Sequence, residues 1–263
     1  MKSKKLAIPY MLWMLVFTMI PLVMIGFTAF TDNSGSFSLS AFADAFQYTN
    51  IFLKSLWIAL ISTIICLIIA YPLAYMISQM KKSTQNTVIM LVMIPMWMNF
   101  LLRIYAWVLL LQSGGPLDTL LSAIGIHGNY NNNTVAVIVG MVYEYMPFML
   151  LPIYTVMGKI DVGLIEAAQD LGSNKAAVFR KVILPLSVPG IISGITMVFV
   201  PTASTFVVAQ YLGGTDDIMI GDVIDKIFFA NNHTGAAISL VLMVFILIFL
   251  VLMNLFGDEE AIA

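Results

Sequence analysis

The chain has 263 residues, of which 60% are hydrophobic and only 10% charged, with a mean hydropathy of +0.97. Soluble domains carry about 45–50% apolar and about 25% charged residues, so this composition excludes a water-soluble monomer and places the chain in a bilayer. A formal net charge of −2 leaves no basic tract for nucleic acid, and a single cysteine, Cys66 in an apolar run, excludes an internal disulfide or a thiolate metal cluster.

Six apolar stretches follow one another at residues 6–30, 55–77, 88–111, 135–157, 188–212 and 236–256. Each reaches the length of about 20 residues needed to cross a hydrocarbon core about 30 Å thick. The expected fold class is an all-α membrane protein with six transmembrane helices in one domain over residues 1–263. The longest connection, residues 158–187, is too small for a folded catalytic domain. If the chain does energised work, the energy must then come from another chain.

The first stretch follows Lys2, Lys4 and Lys5, is longer than the apolar region of a signal peptide, and is expected to persist as a helix. Basic residues set the orientation. With a cytoplasmic N-terminus and six crossings, Lys2, Lys4, Lys5, Lys81, Lys82, Lys159, Lys175, Arg180 and Lys181 face inward, and only Lys54 and Lys226 face outward. Both termini are therefore expected in the cytoplasm. Pro21, Pro72, Pro95, Pro147, Pro152 and Pro201 interrupt spans, either as bends around a pathway or as ordinary kinks in a packed bundle.

The third stretch carries Trp97, Asn99 and Arg103. Trp97 and Asn99 are candidates to line a pathway, with packing as the plain alternative. Arg103 needs a partner if its helix is continuous, and snorkels outward if Pro95 breaks the helix. A pairing role suits it better than lining the route of a cation, which it would repel. In the fourth stretch Glu144 lies near the bilayer middle, where an ionised carboxylate costs several kcal/mol unless paired or wetted. Flanked by Tyr143 and Tyr145, it can attract a cationic solute through charge and cation–π contact. It can equally sit protonated in a packing hydrogen bond, or pair with Arg103.

Between the fourth and fifth stretches, Leu164 to Asp170 favours a short helix that Gly172 can stop in a left-handed conformation. Asn174 then offers an N-cap for a second helix, Lys175 to Val182, which leads through Pro185 and Pro189 into the next span. The result is a stiff helix-turn-helix bracket. Ala167 and Ala168 let another protein's groove approach the backbone, and Glu166 adds a directional charge.

Gly213 and Gly214 close the fifth stretch, after which Ile220, Val223, Ile224, Ile227 and Phe228 space an amphipathic helix on the outer face. Asp216, Asp217, Asp222 and Asp225 cluster there, either concentrating cations and docking basic residues of a partner or forming an ordinary solvated loop. Asn129 and the run Asn131 to Asn133 mark a polar outer loop. His127 and His233 lack companion ligands, so no metal site is expected.

The run Glu166, Ala167, Ala168, then Gly172, Val182, Leu184 and Pro185 resembles the signature loop of ABC-importer permease subunits, with Val182 where Ile is usual. The resemblance implies a type I ABC-importer permease fold and a loop, here including Asp170, that docks on a separate ATPase. It extends over nearly the whole chain to the permeases of spermidine/putrescine importers, in particular the first of their two permease chains. Pro95 to Asn99 with Leu102 to Tyr105, Met146 to Tyr154, and Ile218 to Ile224 carry that similarity. The implied assembly has two ATPase subunits that bind ATP and Mg, a second homologous permease and an extracytoplasmic solute-binding protein. This chain itself would bind no cofactor, catalyse no reaction and sit in the cell membrane. Importers of other small solutes share parts of these motifs. An ion-gradient transporter or channel would leave the Glu-Ala-Ala loop without purpose, and a membrane enzyme would need a reactive set within the bilayer that the spans lack.

Overall fold

The computed structural model describes residues 3–125, 128, 130–214 and 217–260; Lys2, His127, Asn129 and Asp216 lie outside the described residues. The described chain is helical, with one isolated antiparallel bridge between Thr31 and Phe37. Helix α1 (Ser3–Met14) passes through a π-turn at Leu15–Met19 into α2 (Ile20–Ala29), making one apolar rod. Among the described residues its far end meets the rest of the bundle, where Ile25 and Ala29 pack on Ala236, Ala237 and Leu240. Short α3 (Ser40–Ala45) leads through a 3-10 turn into α4 (Thr49–Ser78), and α5 (Lys82–Met93) returns.

The stretch at residues 88–111 is not one helix. Residues Ile94–Trp97 tighten into a 3-10 turn, Met98 and Asn99 are extended, and α6 (Phe100–Leu111) starts afresh. Pro95 cannot supply the next ladder donor, and the Asn99 side chain accepts the backbone N–H groups of Leu101 and Leu102 as an N-cap. The third segment long and apolar enough to span is consequently Phe100–Ala123, made of α6 and α7 (Pro116–Ala123).

Next come α8 (Thr134–Met157), capped by Asn133, then α9 (Val162–Asp170), α10 (Lys175–Val178), a π-turn at Phe179–Ile183 and α11 (Leu184–Ser204). The fifth stretch, expected to run unbroken to residue 212, stops at Ser204. Thr205 is extended, and a separate helix, α12 (Val207–Leu212), follows. Helix α13 (Ile220–Ala230) is the expected amphipathic piece, and α14 (Asn232–Glu260) closes the chain. Six segments of the described residues are long and apolar enough to cross a membrane.

Helices α4, α8 and α11 form the centre. Along α4, Ala59, Thr63, Cys66, Ala70 and Ala74 recur every three or four residues and are buried. On α11, Gly190 and Gly194 face α8 so closely that a Cβ on Gly194 would lie 2.7 Å from Met149 Sδ and 3.1 Å from its carbonyl oxygen. Lipid tails are as apolar as the helices, so close backbone approach through small residues, rather than exclusion from water, holds such a trio together.

Candidate functional site: the exposed loop and the buried charge pair

Residues 158–187 fold as a bracket at one end of the bundle. The Asp161 carboxylate accepts the Gly163 N–H at 2.9 Å and starts α9. Gly172 has φ +84°, its N–H donates to Gln169 O at 2.8 Å, and the Ser173 N–H donates to Ala168 O at 3.1 Å. Those two bonds form a Schellman stop. Asn174 Oδ1 then accepts the Ala177 N–H at 2.8 Å and opens α10. Pro185 stands in the first turn of α11, where it interrupts the preceding ladder, and the backbone there widens into the π-turn.

The bracket has two unlike faces. Ile165 and Ala168 turn inward onto a core that includes Ile153, Met157, Val178 and Ile183. Val162, Leu164, Glu166, Ala167, Asp170 and Leu171 turn outward, with Leu171 88% exposed. Apolar side chains left bare in a polar loop make this face a candidate docking surface. On the exit side, the Phe179 ring lies edge-on to Tyr71 and Tyr75 of α4 at 5.8 and 5.7 Å, and the Tyr71 and Ser187 hydroxyls meet at 2.9 Å.

Within the bundle, Arg103 of α6 pairs with Glu144 of α8, Nη2 to Oε2 at 2.8 Å, the side chains being only 9% and 1% exposed. The helix break at Pro95 does occur, yet Arg103 does not snorkel: its guanidinium turns in over the Phe100 ring, 5.8 Å from the centroid. Arg103 Nε and Glu144 Oε1 have no hydrogen-bond partner within the described chain. Tyr143 stacks edge-on against Trp107 at 5.4 Å. Trp97 stands 80% exposed at the bend before α6, and Asn99 beside it is occupied as the cap.

The outer aspartates do not form one open acidic field. Asp217 is ion-paired with Lys54 and accepts the Thr134 hydroxyl at 2.7 Å, while Asp222 pairs with Lys226 at 2.8 Å and is buried. Asp225 alone of the described three is exposed. The pairing partners lie far away in sequence or one helical turn along, so clustering of like charges in the sequence overstates the free charge.

Several residues escape a reading of the sequence. Tyr71 and Tyr75 look like ordinary span aromatics, Phe179 like an ordinary apolar residue of the loop, and Gln85 carries no motif at all. It is nonetheless buried and bonded to three different segments.

The sequence matches the family described as binding-protein-dependent transport system inner membrane component over residues 1–258. It is 38% identical over 246 residues to the spermidine/putrescine transport system permease protein PotB of Haemophilus influenzae, covering 88% of this chain and 86% of that one. It is 35% identical to the Escherichia coli protein of the same name, covering 88% and 89%. The fold is similar to a chain of a bacterial ABC transporter involved in import of the acidic polysaccharide alginate, with a TM-score of 0.82, 18% identity, and coverage of 98% and 95%. The chain therefore belongs to the binding-protein-dependent inner membrane components, as a multi-pass permease subunit of an ABC importer.

Proposed function

We propose that this permease imports a polyamine of the spermidine or putrescine type, driven by a separate ATPase that grips residues 158–187 from the cytoplasm. The observation that carries the coupling is the bracket itself: α9 is capped at both ends, packed on one side and bare at Val162, Leu164, Ala167 and Leu171 on the other. Glu166 and Asp170 give that bare face its charge, and Leu184 with Pro185 passes its movement into α11. The basic residues that flank this end support its cytoplasmic placement, with both termini on the same side.

The solute assignment draws on the relatives, which are named for spermidine and putrescine. Glu144, Tyr143, Trp97 and Asn99 are assigned to the pathway, with Glu144 exchanging Arg103 for a solute ammonium group as the helices shift. Asp216, Asp217, Asp222 and Asp225 belong to the outer face, where the solute-binding protein delivers its cargo. A second, homologous permease completes the pathway, two ATPase subunits hold ATP and Mg, and this chain binds no cofactor and performs no catalysis. The experiment is reconstitution with those partners in vesicles. ATP hydrolysis is expected to rise with spermidine or putrescine and not with a sugar or an anion. Stimulation by the sugar or anion alone would remove the polyamine assignment.

A further inference from the structure

The bracket's exit limb is wedged against α4 by Phe179, Tyr71 and Tyr75, but its entry limb, the end of α8, has no such aromatic wedge. Beside the apolar packing of Ile153 and Met157, one buried glutamine ties it to its neighbours. Gln85 of α5 donates from Nε2 to Ser78 O at 3.0 Å and to Met80 O at 2.9 Å, the carbonyls left open where α4 ends. Its Oε1 accepts from the Tyr154 hydroxyl at 3.0 Å and from Lys82 Nζ at 3.3 Å. A primary amide offers two donors and one acceptor with two lone pairs, and all four are engaged. Tyr154 lies one turn before the C-terminus of α8, from which Gly158 to Asp161 runs directly into α9.

Resting on the coupling role proposed above, we infer that Gln85 and Tyr154 are positioning residues that tie the entry limb of the bracket to the end of α4. Through them a displacement of α9 moves α4, α5 and α8 as one body instead of being absorbed by a local bend of α8. A carboxylate of the same shape would turn oxygens toward the Ser78 and Met80 carbonyls, and Leu would leave both carbonyls and the tyrosine hydroxyl unpaired.

The test uses the complete complex in vesicles, measuring solute taken up per ATP hydrolysed for the wild type, Tyr154→Phe, Gln85→Glu, Gln85→Leu and the double variant Q85L/Y154F. Tyr154→Phe removes one hydroxyl and is expected to keep assembly and hydrolysis while lowering uptake per ATP roughly fivefold, the weight of one hydrogen bond. Gln85→Glu and Gln85→Leu are expected to lower it further, and the double variant to be no worse than Gln85→Leu, because both act through one link. A merely structural role would lower the yield of complex, or hydrolysis and uptake together, without changing their ratio. An unchanged ratio in Tyr154→Phe overturns the inference even if the Gln85 variants fail to assemble, while leaving the ATP-driven reading in place. A wild-type complex that moves solute without ATP overturns both.

Discussion

Arg103 and Glu144 face each other at 2.8 Å with almost no access to solvent. Removing one member of such a pair strands the other in a medium of low dielectric, at a cost of about 3–5 kcal/mol. Glu144→Ala is therefore expected to lower the unfolding midpoint in detergent sharply, whereas E144M/R103M recovers most of the loss. A double variant as unstable as the single one would mean that the pair is not a unit. Glu144→Gln is expected to lower uptake while the ATPase still docks; unchanged uptake would take Glu144 off the pathway. At the rim, the Asp32 carboxyl is held below its ordinary pKa, chiefly by the Ser34 hydroxyl and then by the Ser36 backbone N–H. Because the folded pKa is the lower one, this support for the turn is present above the unfolded carboxylate pKa and is lost as pH falls through the folded value. Protection of the Ser34 and Ser36 amides against hydrogen exchange, relative to their intrinsic rates at each pH, should fall in acid, and Asp32→Asn should remove most of that pH dependence.

The elements differ in how openly the sequence declares them. The bracket is legible because caps are local chemistry. Gly172 and Asn174 each satisfy backbone groups within five residues of themselves, and the structure has both in their expected roles. Gly172 sits at φ +84°, so Gly172→Val is expected to strain the stop by about 1–2 kcal/mol and to reduce uptake more than hydrolysis; equal loss of both would argue against the stop as a coupling feature. The break before α6 was half legible, since Pro95 announces an interruption but not its direction. The break at Thr205 was illegible, because an apolar run carries no mark where the backbone turns extended. The closeness of α11 to α8 lies in between: Gly190 and Gly194 are visible as small residues, but not the Met149 backbone they meet. Gly194→Leu should force the helices apart and cost about 1–3 kcal/mol in thermal stability; a variant as stable as wild type would mean the contact is not tight in the membrane.

At the scale of the whole molecule, composition gives the number of apolar segments long enough to span, because the bilayer sets their length. It misplaces the third, which runs Phe100–Ala123, and the end of the fifth, which stops at Ser204. Long-range partners are what it withholds. Glu144 could be listed against Arg103 only as one option among three. Asp217 meets Lys54 from 163 residues away, and Tyr154 meets Gln85 from 69 residues away. Such pairs depend on how whole helices are arranged, which no local pattern encodes. The arrangement that emerges is a bundle whose three central helices meet, at one end, a bracket with a bare outer face. The most direct measurement is uptake of radiolabelled spermidine into sealed vesicles that hold both permeases and the loaded binding protein, with and without the ATPase subunits and ATP. Accumulation is expected only when ATPase and ATP are both present on the side of residues 158–187; uptake that proceeds equally without them would contradict the account.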